Sequence, residues 1–130
     1  MSQLILVRGL TGSGKSTLGQ LLSSRHNHVL VEADQFFTRS DGAYEFDVTK
    51  LAEAHAWCLD TTKAFLALGW TPVVANTFTQ RWELQSYLDL GVETQILTVA
   101  TNLTPEALAA RGVHGVTADQ IRAQKDRWEE

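Results

Sequence analysis

Residues 9–17 read Gly9-Leu10-Thr11-Gly12-Ser13-Gly14-Lys15-Ser16-Thr17, which matches the phosphate-binding pattern G-x-x-x-x-G-K-S. The run before it, residues 4–7, is apolar and branched, as is typical of a buried parallel strand. The residues after it carry leucines at helical spacing. Because a strand leads into the loop and a helix leads out of it, we predict that residues 9–17 form a P-loop that binds the phosphates of a nucleotide.

The residue types in this loop suit a phosphate ligand. Its glycines let successive backbone N–H groups turn towards an anion, and the following helix directs its positive N-terminal end to the same place. Lys15 would balance charge on the β- and γ-phosphates and act in catalysis, while the Ser16 hydroxyl would ligate Mg²⁺. The expected cofactors are therefore ATP, or another NTP, and Mg²⁺.

Beyond the loop, predicted strands alternate with predicted helices. The strands fall near 4–8, 29–31, 72–76 and 93–100, and the helices near 15–24, 48–68, 80–89, 104–111 and 117–128. This alternation predicts an α/β fold: a three-layer α/β/α domain of the P-loop NTPase type, with a small parallel sheet of about four strands. We expect a single domain over residues 1–130, with a C-terminal helical lid at about 103–118. On the long helix, the spacing predicts that one face carries Leu51, His55, Cys58, Leu59, Thr62, Phe65 and Leu66.

The composition limits the partners and the compartment. A net charge of −4 argues against broad, non-specific binding to nucleic acid and leaves room only for a local basic groove. No apolar run reaches the length of a membrane span, and no basic segment precedes an apolar one near residue 1. The single Cys58 excludes an internal disulfide. We therefore expect a cytoplasmic protein with no membrane association.

Polar side chains follow the second and third predicted strands, at the edge of the sheet where ligands bind in such folds. Asp34 could orient an attacking hydroxyl and contact the metal, or it could cap a short helix at 35–37. Asn76 and Thr77 could bind an acceptor phosphate, or they could cap the helix at 80–89. Arg111 lies where a lid would close over the phosphates, and the alternative is a solvated arginine at a helix end.

Several motifs together resemble the polynucleotide 5′-hydroxyl kinase family of P-loop kinases, over nearly the whole chain. They are the P-loop, residues 32–37, the D-G-x-Y-x-F stretch at 41–46, residues 53–55, the N-T-x-T-Q-x-W-E stretch at 76–83 and the R-x-x-H-G-V stretch at 111–116. The P-loop alone is generic, whereas its combination with the three lettered stretches is much more specific.

The resemblance implies a role for each part of the predicted site. Asp34 would be the general base, Lys15 and Ser16 would hold phosphate and metal, and Arg111 would act from the lid on the transferred phosphoryl group. The expected contacts to an acceptor nucleic acid are Phe37, Asn76, Thr77 and Arg81. Aromatic stacking tolerates any base, so Phe36, Phe37 and Phe78 could stack on the acceptor; the alternative, favoured for at least one of them, is packing in the core or on the rim.

The chain departs from the family at several acceptor positions. Phe37 stands where the phage enzymes have an arginine, Ala75 replaces an aspartate common before the N-T pair, and Phe78 replaces an asparagine common after it. The expected function is transfer of the γ-phosphate of ATP to a 5′-hydroxyl end of DNA or RNA, as in nucleic acid repair. The alternatives are a kinase of a small metabolite, nucleoside or antibiotic on the same scaffold, and a non-catalytic NTP-binding switch.

Overall fold

Four parallel strands form the centre of the computed structural model, which describes residues 3–112 and 114–130. The strands are β1 (Gln3–Arg8), β2 (His28–Val31), β3 (Thr71–Asn76) and β4 (Glu93–Thr98), in the spatial order β2-β3-β1-β4. The helices are α1 (Lys15–Ser23), α2 (Leu51–Ala67), α3 (Arg81–Leu88), α4 (Pro105–Arg111) and α5 (Ala118–Asp126), with short 3-10 helices at Ala33–Phe37 and Val48–Lys50. The predicted α/β fold with a four-stranded parallel sheet is confirmed.

Strand β1 is buried on both faces of the sheet because its side chains alternate between them. Leu4 and Leu6 enter one core, which α2 and α3 cover, while Ile5 and Val7 enter a second core, which α1 covers. Helices therefore lie on both faces, and the predicted three layers are confirmed. Among the described helices, none is long and apolar enough to cross a bilayer.

The strand register brings the functional segments to one edge of the sheet, here called the rim. Arg8, the last residue of β1, is opposite Asn76 of β3 on one side and Thr98 of β4 on the other. The backbone N–H of Gly9 donates to the carbonyl oxygen of Thr77 at 3.3 Å, which joins the start of the P-loop to the end of β3. The rim therefore carries the P-loop together with the segments that follow β2 and β3, as parallel strands require.

The buried face of α2 agrees with the predicted one only in part. Ala54, Cys58 and Thr62 are its fully buried residues, so Cys58 and Thr62 of the predicted face enter the core, and Leu59 and Phe65 pack against it partly buried. Leu51 and His55 are exposed. They line a groove of about 600 Å³ between α2 and α3. The predicted face is therefore wrong at Leu51 and His55, because the fully buried residues of α2 follow a narrow stripe with four-residue spacing.

Arg8 joins the rim to the last residues of the chain. Its side chain is 4% exposed, and its guanidinium donates to the carbonyl oxygens of Phe78 at 2.7 Å and Glu129 at 2.6 Å. The ring of Trp128 lies over the same group, with the guanidinium carbon 4.1 Å from the ring centroid. Burial lowers the pKa of Arg8 and nearby glutamates offset this in part, so the group stays charged.

Candidate active site

The P-loop has the backbone geometry of an anion site. Gly12 and Gly14 have φ angles of 81° and 102°, in the left-handed region that favours glycine. Helix α1 begins at Lys15, so its first N–H groups have no preceding helical carbonyl to bind and remain available to a ligand. Within the described residues, the Ser13 hydroxyl is buried and lacks a hydrogen-bond partner. The residues present therefore fit a bound phosphate, which supplies acceptor oxygens for such donors.

Two helices from the other end of the chain support this loop. The Gln124 side chain on α5 accepts a hydrogen bond from the Thr11 N–H at 3.1 Å and donates to the Thr11 hydroxyl at 3.0 Å. The P-loop also lies so close to α4 that a Cβ at Gly12 would be 2.4 Å from the carbonyl oxygen of Leu108. Sequence reasoning missed Gln124, because no local signal pairs residues 113 positions apart.

Lys15 lies half-buried at the start of α1. Burial lowers its pKa, and the carboxylates of Asp34 and Glu32 raise it in part. The ammonium group is therefore within electrostatic reach of both carboxylates, on the first residue of α1. A phosphate bound there would meet a positive charge that the protein has already partly removed from water.

Glu32 is a candidate site residue that sequence reasoning missed. The Ser16 hydroxyl donates to its carboxylate at 2.6 Å. Glu32 also caps the 3-10 helix in a reciprocal arrangement with Gln35, whose side-chain oxygen accepts from the Glu32 N–H at 3.1 Å. The capping interpretation of Asp34 was therefore wrong. The available signal was position, since Glu32 directly follows β2 on the rim.

Asp34 lies in the 3-10 helix after β2, with its side chain 58% exposed. The Tyr44 hydroxyl donates to its Oδ1 at 3.4 Å, and Nε2 of His114 lies 4.0 Å from its Oδ2. Burial and the Asp34 carboxylate raise the pKa of Tyr44 to about 12, so the phenol keeps its proton at neutral pH. Asp34 is thus accessible to a ligand and has a hydrogen-bond donor beside it.

Asn76 does not lie where it could bind an acceptor. It is 7% exposed, its Oδ1 accepts from the Ala33 N–H at 2.9 Å, and its Nδ2 is 3.5 Å from the sulfur of Cys58. The expected acceptor contact is therefore wrong for Asn76, which instead anchors the segment that carries Asp34. The alternative of a helix cap is wrong as well, because Gln80 caps α3.

Of the other residues expected to contact or stack on the acceptor, some are buried in the core and others lie at the surface. Phe37 is 5% exposed and packs into the core, and Phe78 packs edge-to-face on Tyr87 with ring centroids 5.5 Å apart, so stacking on an acceptor is wrong for both. Thr77 is half-buried on the rim. Arg81 is exposed at the start of α3, where its Nε donates to the backbone carbonyl oxygen of Glu130 at 2.8 Å.

Arg111 is the last residue of α4 and is exposed. The next residue, Gly112, lies against the P-loop, since a Cβ there would be 3.7 Å from a methyl group of Thr11. Arg111 is therefore beside the phosphate-binding loop. Val113, which belongs to the same motif, lies outside the described residues.

The Ser16 hydroxyl, with the Glu32 carboxylate beside it, suits Mg²⁺, a cation that binds one or two protein groups and completes its shell with phosphates and water. In the described parts of the chain, there is no cluster of three or more acidic, histidine or cysteine side chains that could hold a metal. A magnesium ion at this site would therefore depend on nucleotide phosphates for further ligands.

Comparison with known proteins identifies relatives of the whole domain. NEDD4-binding protein 2 from Homo sapiens is 31% identical over 97% of this chain, which spans only 8% of that protein. A chain of the Pnkp1/Rnl/Hen1 RNA repair complex has a TM-score of 0.76 at 18% identity, covering 97% of this chain and 43% of that one. A sugar kinase from a Janibacter species has a TM-score of 0.72 at 15% identity, covering 100% of this chain and 79% of that one.

The family model described as an AAA domain matches residues 4–130. That match contains the P-loop, the 3-10 helix with Glu32 and Asp34, and the two helices that support the loop. The structural neighbours share this arrangement of strands and helices, and they include kinases. The chain therefore belongs to the AAA domain family.

Proposed function

We propose that this chain transfers the γ-phosphoryl group of ATP, with Mg²⁺, to a 5′-hydroxyl end of DNA or RNA. The observation that carries the proposal is the exposed carboxylate of Asp34 on the same rim as the P-loop, within electrostatic reach of Lys15. Similarity to a chain of an RNA repair complex supports a nucleic acid acceptor. The motif resemblance to polynucleotide kinases supports the same acceptor.

Each side chain of the candidate site has a separate role in the proposed reaction. The N–H groups of the P-loop and the ammonium of Lys15 hold the nucleotide phosphates, while Asp34 accepts the proton of the attacking hydroxyl. Ser16 would hold Mg²⁺, with Glu32 orienting the Ser16 hydroxyl, and the ion would supply charge neutralisation at the phosphates. Arg111, beside the loop, contacts the transferred group from the lid.

The direct test is transfer of radiolabelled γ-phosphate from ATP to a panel of acceptors. The panel contains 5′-hydroxyl DNA and RNA oligonucleotides, the same oligonucleotides with a 5′ phosphate, and small alcohols and sugars. We expect label on the 5′-hydroxyl oligonucleotides and none on their 5′-phosphorylated controls. Label on the small alcohols alone would overturn the proposed acceptor, and slow ATP turnover that no acceptor stimulates would support a nucleotide-binding switch.

A small-molecule acceptor is the second candidate. It is favoured by the burial of Phe37 and Asn76, which removes two of the four expected acceptor contacts, and by the net charge of −4. The similarity to a sugar kinase over 79% of that chain is consistent with it. The acceptor panel separates the two candidates.

Replacing the proposed base is expected to impair transfer and leave stability intact. Asp34→Asn keeps the shape of the side chain but removes the proton acceptor, and a positioned general base contributes at least about a hundredfold to the rate. We expect kcat to fall by at least about a hundredfold, with the Kd for ATP changed less than about threefold. Since Glu32 is the helix cap, Tm should not change.

Asp60→Asn is the matched control for Asp34→Asn, because Asp60 is an exposed aspartate on α2 and away from the rim. It should keep wild-type kcat and Tm. Near-native turnover in Asp34→Asn would contradict the assignment of Asp34 as the base.

Removing the charge of Glu32 is expected to weaken the response to Mg²⁺. Glu32→Gln keeps an oxygen for the Ser16 hydroxyl and for the cap, but it lowers the negative charge beside the metal ligand. We expect the Mg²⁺ concentration for half-maximal rate to rise by about tenfold, with most of the rate recovered at saturating Mg²⁺. Glu93→Gln, on an exposed residue of β4, is the control. An unchanged Mg²⁺ dependence would contradict the role of Glu32.

A further inference from the structure

Three separate segments bring side chains together at Asp34. Tyr44 comes from the loop between the two 3-10 helices, and His114 comes from the residues after α4. The Tyr44 hydroxyl donates to Oδ1 of Asp34, while the His114 ring stacks on the Tyr44 ring with centroids 3.8 Å apart at an interplanar angle of 24°. One oxygen of the carboxylate is therefore engaged by Tyr44, and the other faces the histidine of the lid.

The loop that carries Tyr44 is closed by its own backbone. Thr38 and Tyr44 form an antiparallel bridge, the Arg39 N–H donates to the carbonyl oxygen of Ala43 at 2.7 Å, and the Glu45 N–H donates to that of Phe37 at 2.8 Å. The Tyr44 ring also meets the buried Phe37 ring edge-to-face, with centroids 6.3 Å apart. The position of Tyr44 is thus set by main-chain contacts and by the core, and it does not depend on Asp34.

An exposed carboxylate needs such a neighbour to act as a base. The Asp34 side chain is 58% exposed, and a solvated side chain exchanges between rotamers. A general base must hold one oxygen within about 3 Å of the hydroxyl that it deprotonates. A fixed donor at Oδ1 limits the rotation of the carboxylate and directs Oδ2 to a constant place.

We infer that Tyr44 is a positioning residue that orients the Asp34 carboxylate for the acceptor hydroxyl, and that His114, stacked on Tyr44, couples this orientation to the lid. The inference rests on the proposed function, in which Asp34 is the base. It adds two side chains to the acceptor half of the site, where Phe37 and Asn76 turned out to be buried.

The test is a double-mutant cycle between Tyr44→Phe and Asp34→Asn. Tyr44→Phe keeps the ring and the stack but loses the O–H donor, and a hydrogen bond to a charged group is worth about tenfold or more. We expect kcat to fall about tenfold, with the KM for ATP and the Tm unchanged. In the Asp34→Asn background, Tyr44→Phe should lower kcat no further, because Tyr44 acts through Asp34.

Two further variants test the stack. His114→Ala removes it and should lower kcat about as much as Tyr44→Phe does, whereas His114→Phe keeps an aromatic ring and should retain most of the rate. Tyr87→Phe is the matched control, since Tyr87 is the only other tyrosine and lies in the core. It should leave kcat unchanged.

The outcomes separate the inference from the proposed function. The inference is overturned if Tyr44→Phe leaves kcat unchanged. It is also overturned if the fall in kcat caused by Tyr44→Phe adds fully to the fall caused by Asp34→Asn, because Tyr44 then does not position the base. If the wild type labels only small alcohols, the proposed nucleic acid acceptor is wrong. The double-mutant cycle is then measured with the labelled alcohol as acceptor, and it still decides the role of Tyr44. If the wild type labels no acceptor in the panel, both are overturned.

Discussion

Lys15→Ala is expected to reduce phosphoryl transfer to background while the protein remains folded. Lys15 is the half-buried cation at the start of α1, and it would face the β- and γ-phosphates as negative charge moves between them. Its removal deletes no core side chain, so the free energy of unfolding should change by less than about 1 kcal/mol. The measurements are single-turnover transfer of labelled phosphate and thermal unfolding without nucleotide.

The rise in Tm on ATP binding should separate a role of Lys15 in catalysis from a role in folding. We expect ATP to raise the Tm of the wild type and to raise that of Lys15→Ala by less, since the variant loses one phosphate contact but keeps the N–H groups of the loop. Lys63→Ala, an exposed lysine on α2, is the control and should match the wild type in both assays. Near-native turnover in Lys15→Ala would show that the P-loop does not take part in catalysis.

Arg111→Ala is expected to lower kcat by about a thousandfold, because an arginine that contacts the transferring phosphoryl group can contribute that much. Arg111→Lys should recover little of this loss. A lysine keeps the charge but lacks the planar group that spans two phosphate oxygens. The Kd for ATP, measured by calorimetry, should weaken far less than kcat, because the contact is made in the transition state.

The comparison between the two Arg111 variants decides the type of interaction. If lysine restores most of the rate, Arg111 acts as a simple counter-charge. If neither substitution matters, the assignment of Arg111 to the lid is wrong and the basic residues of α5 become the next candidates. Arg25→Ala, in the exposed turn after α1, is the control and should keep full activity.

The fold was predictable because its signals are local. The apolar run before Gly9 and the leucines after Ser16 are enough to place β1, the P-loop and α1. The Thr104-Pro105 pair likewise predicted the start of α4, where the Thr104 hydroxyl accepts from the Ala107 N–H at 3.2 Å. Alternation of such segments then leaves few topologies for a parallel sheet.

The site was less predictable because its contacts are distant in sequence. Gln124 reaches Thr11 from the last helix, and the burial of Asn76 depends on Ala33 and Cys58 in two other segments. Nothing near Asn76 in the sequence distinguishes a buried anchor from an exposed ligand. Glu32 is different, since its place at the end of β2 was visible. It was missed because the resemblance assigned a role only to Asp34, two residues later.

The hydrogen bonds of Arg8 affect how the protein unfolds. One buried guanidinium binds carbonyl oxygens on the segment after β3 and on Glu129, so detaching the last residues would leave a desolvated cation short of an acceptor. Terminal segments usually fray with little cost. This one is tied to the central strand, and its amide protons should therefore exchange with solvent through the same cooperative opening as those of β1.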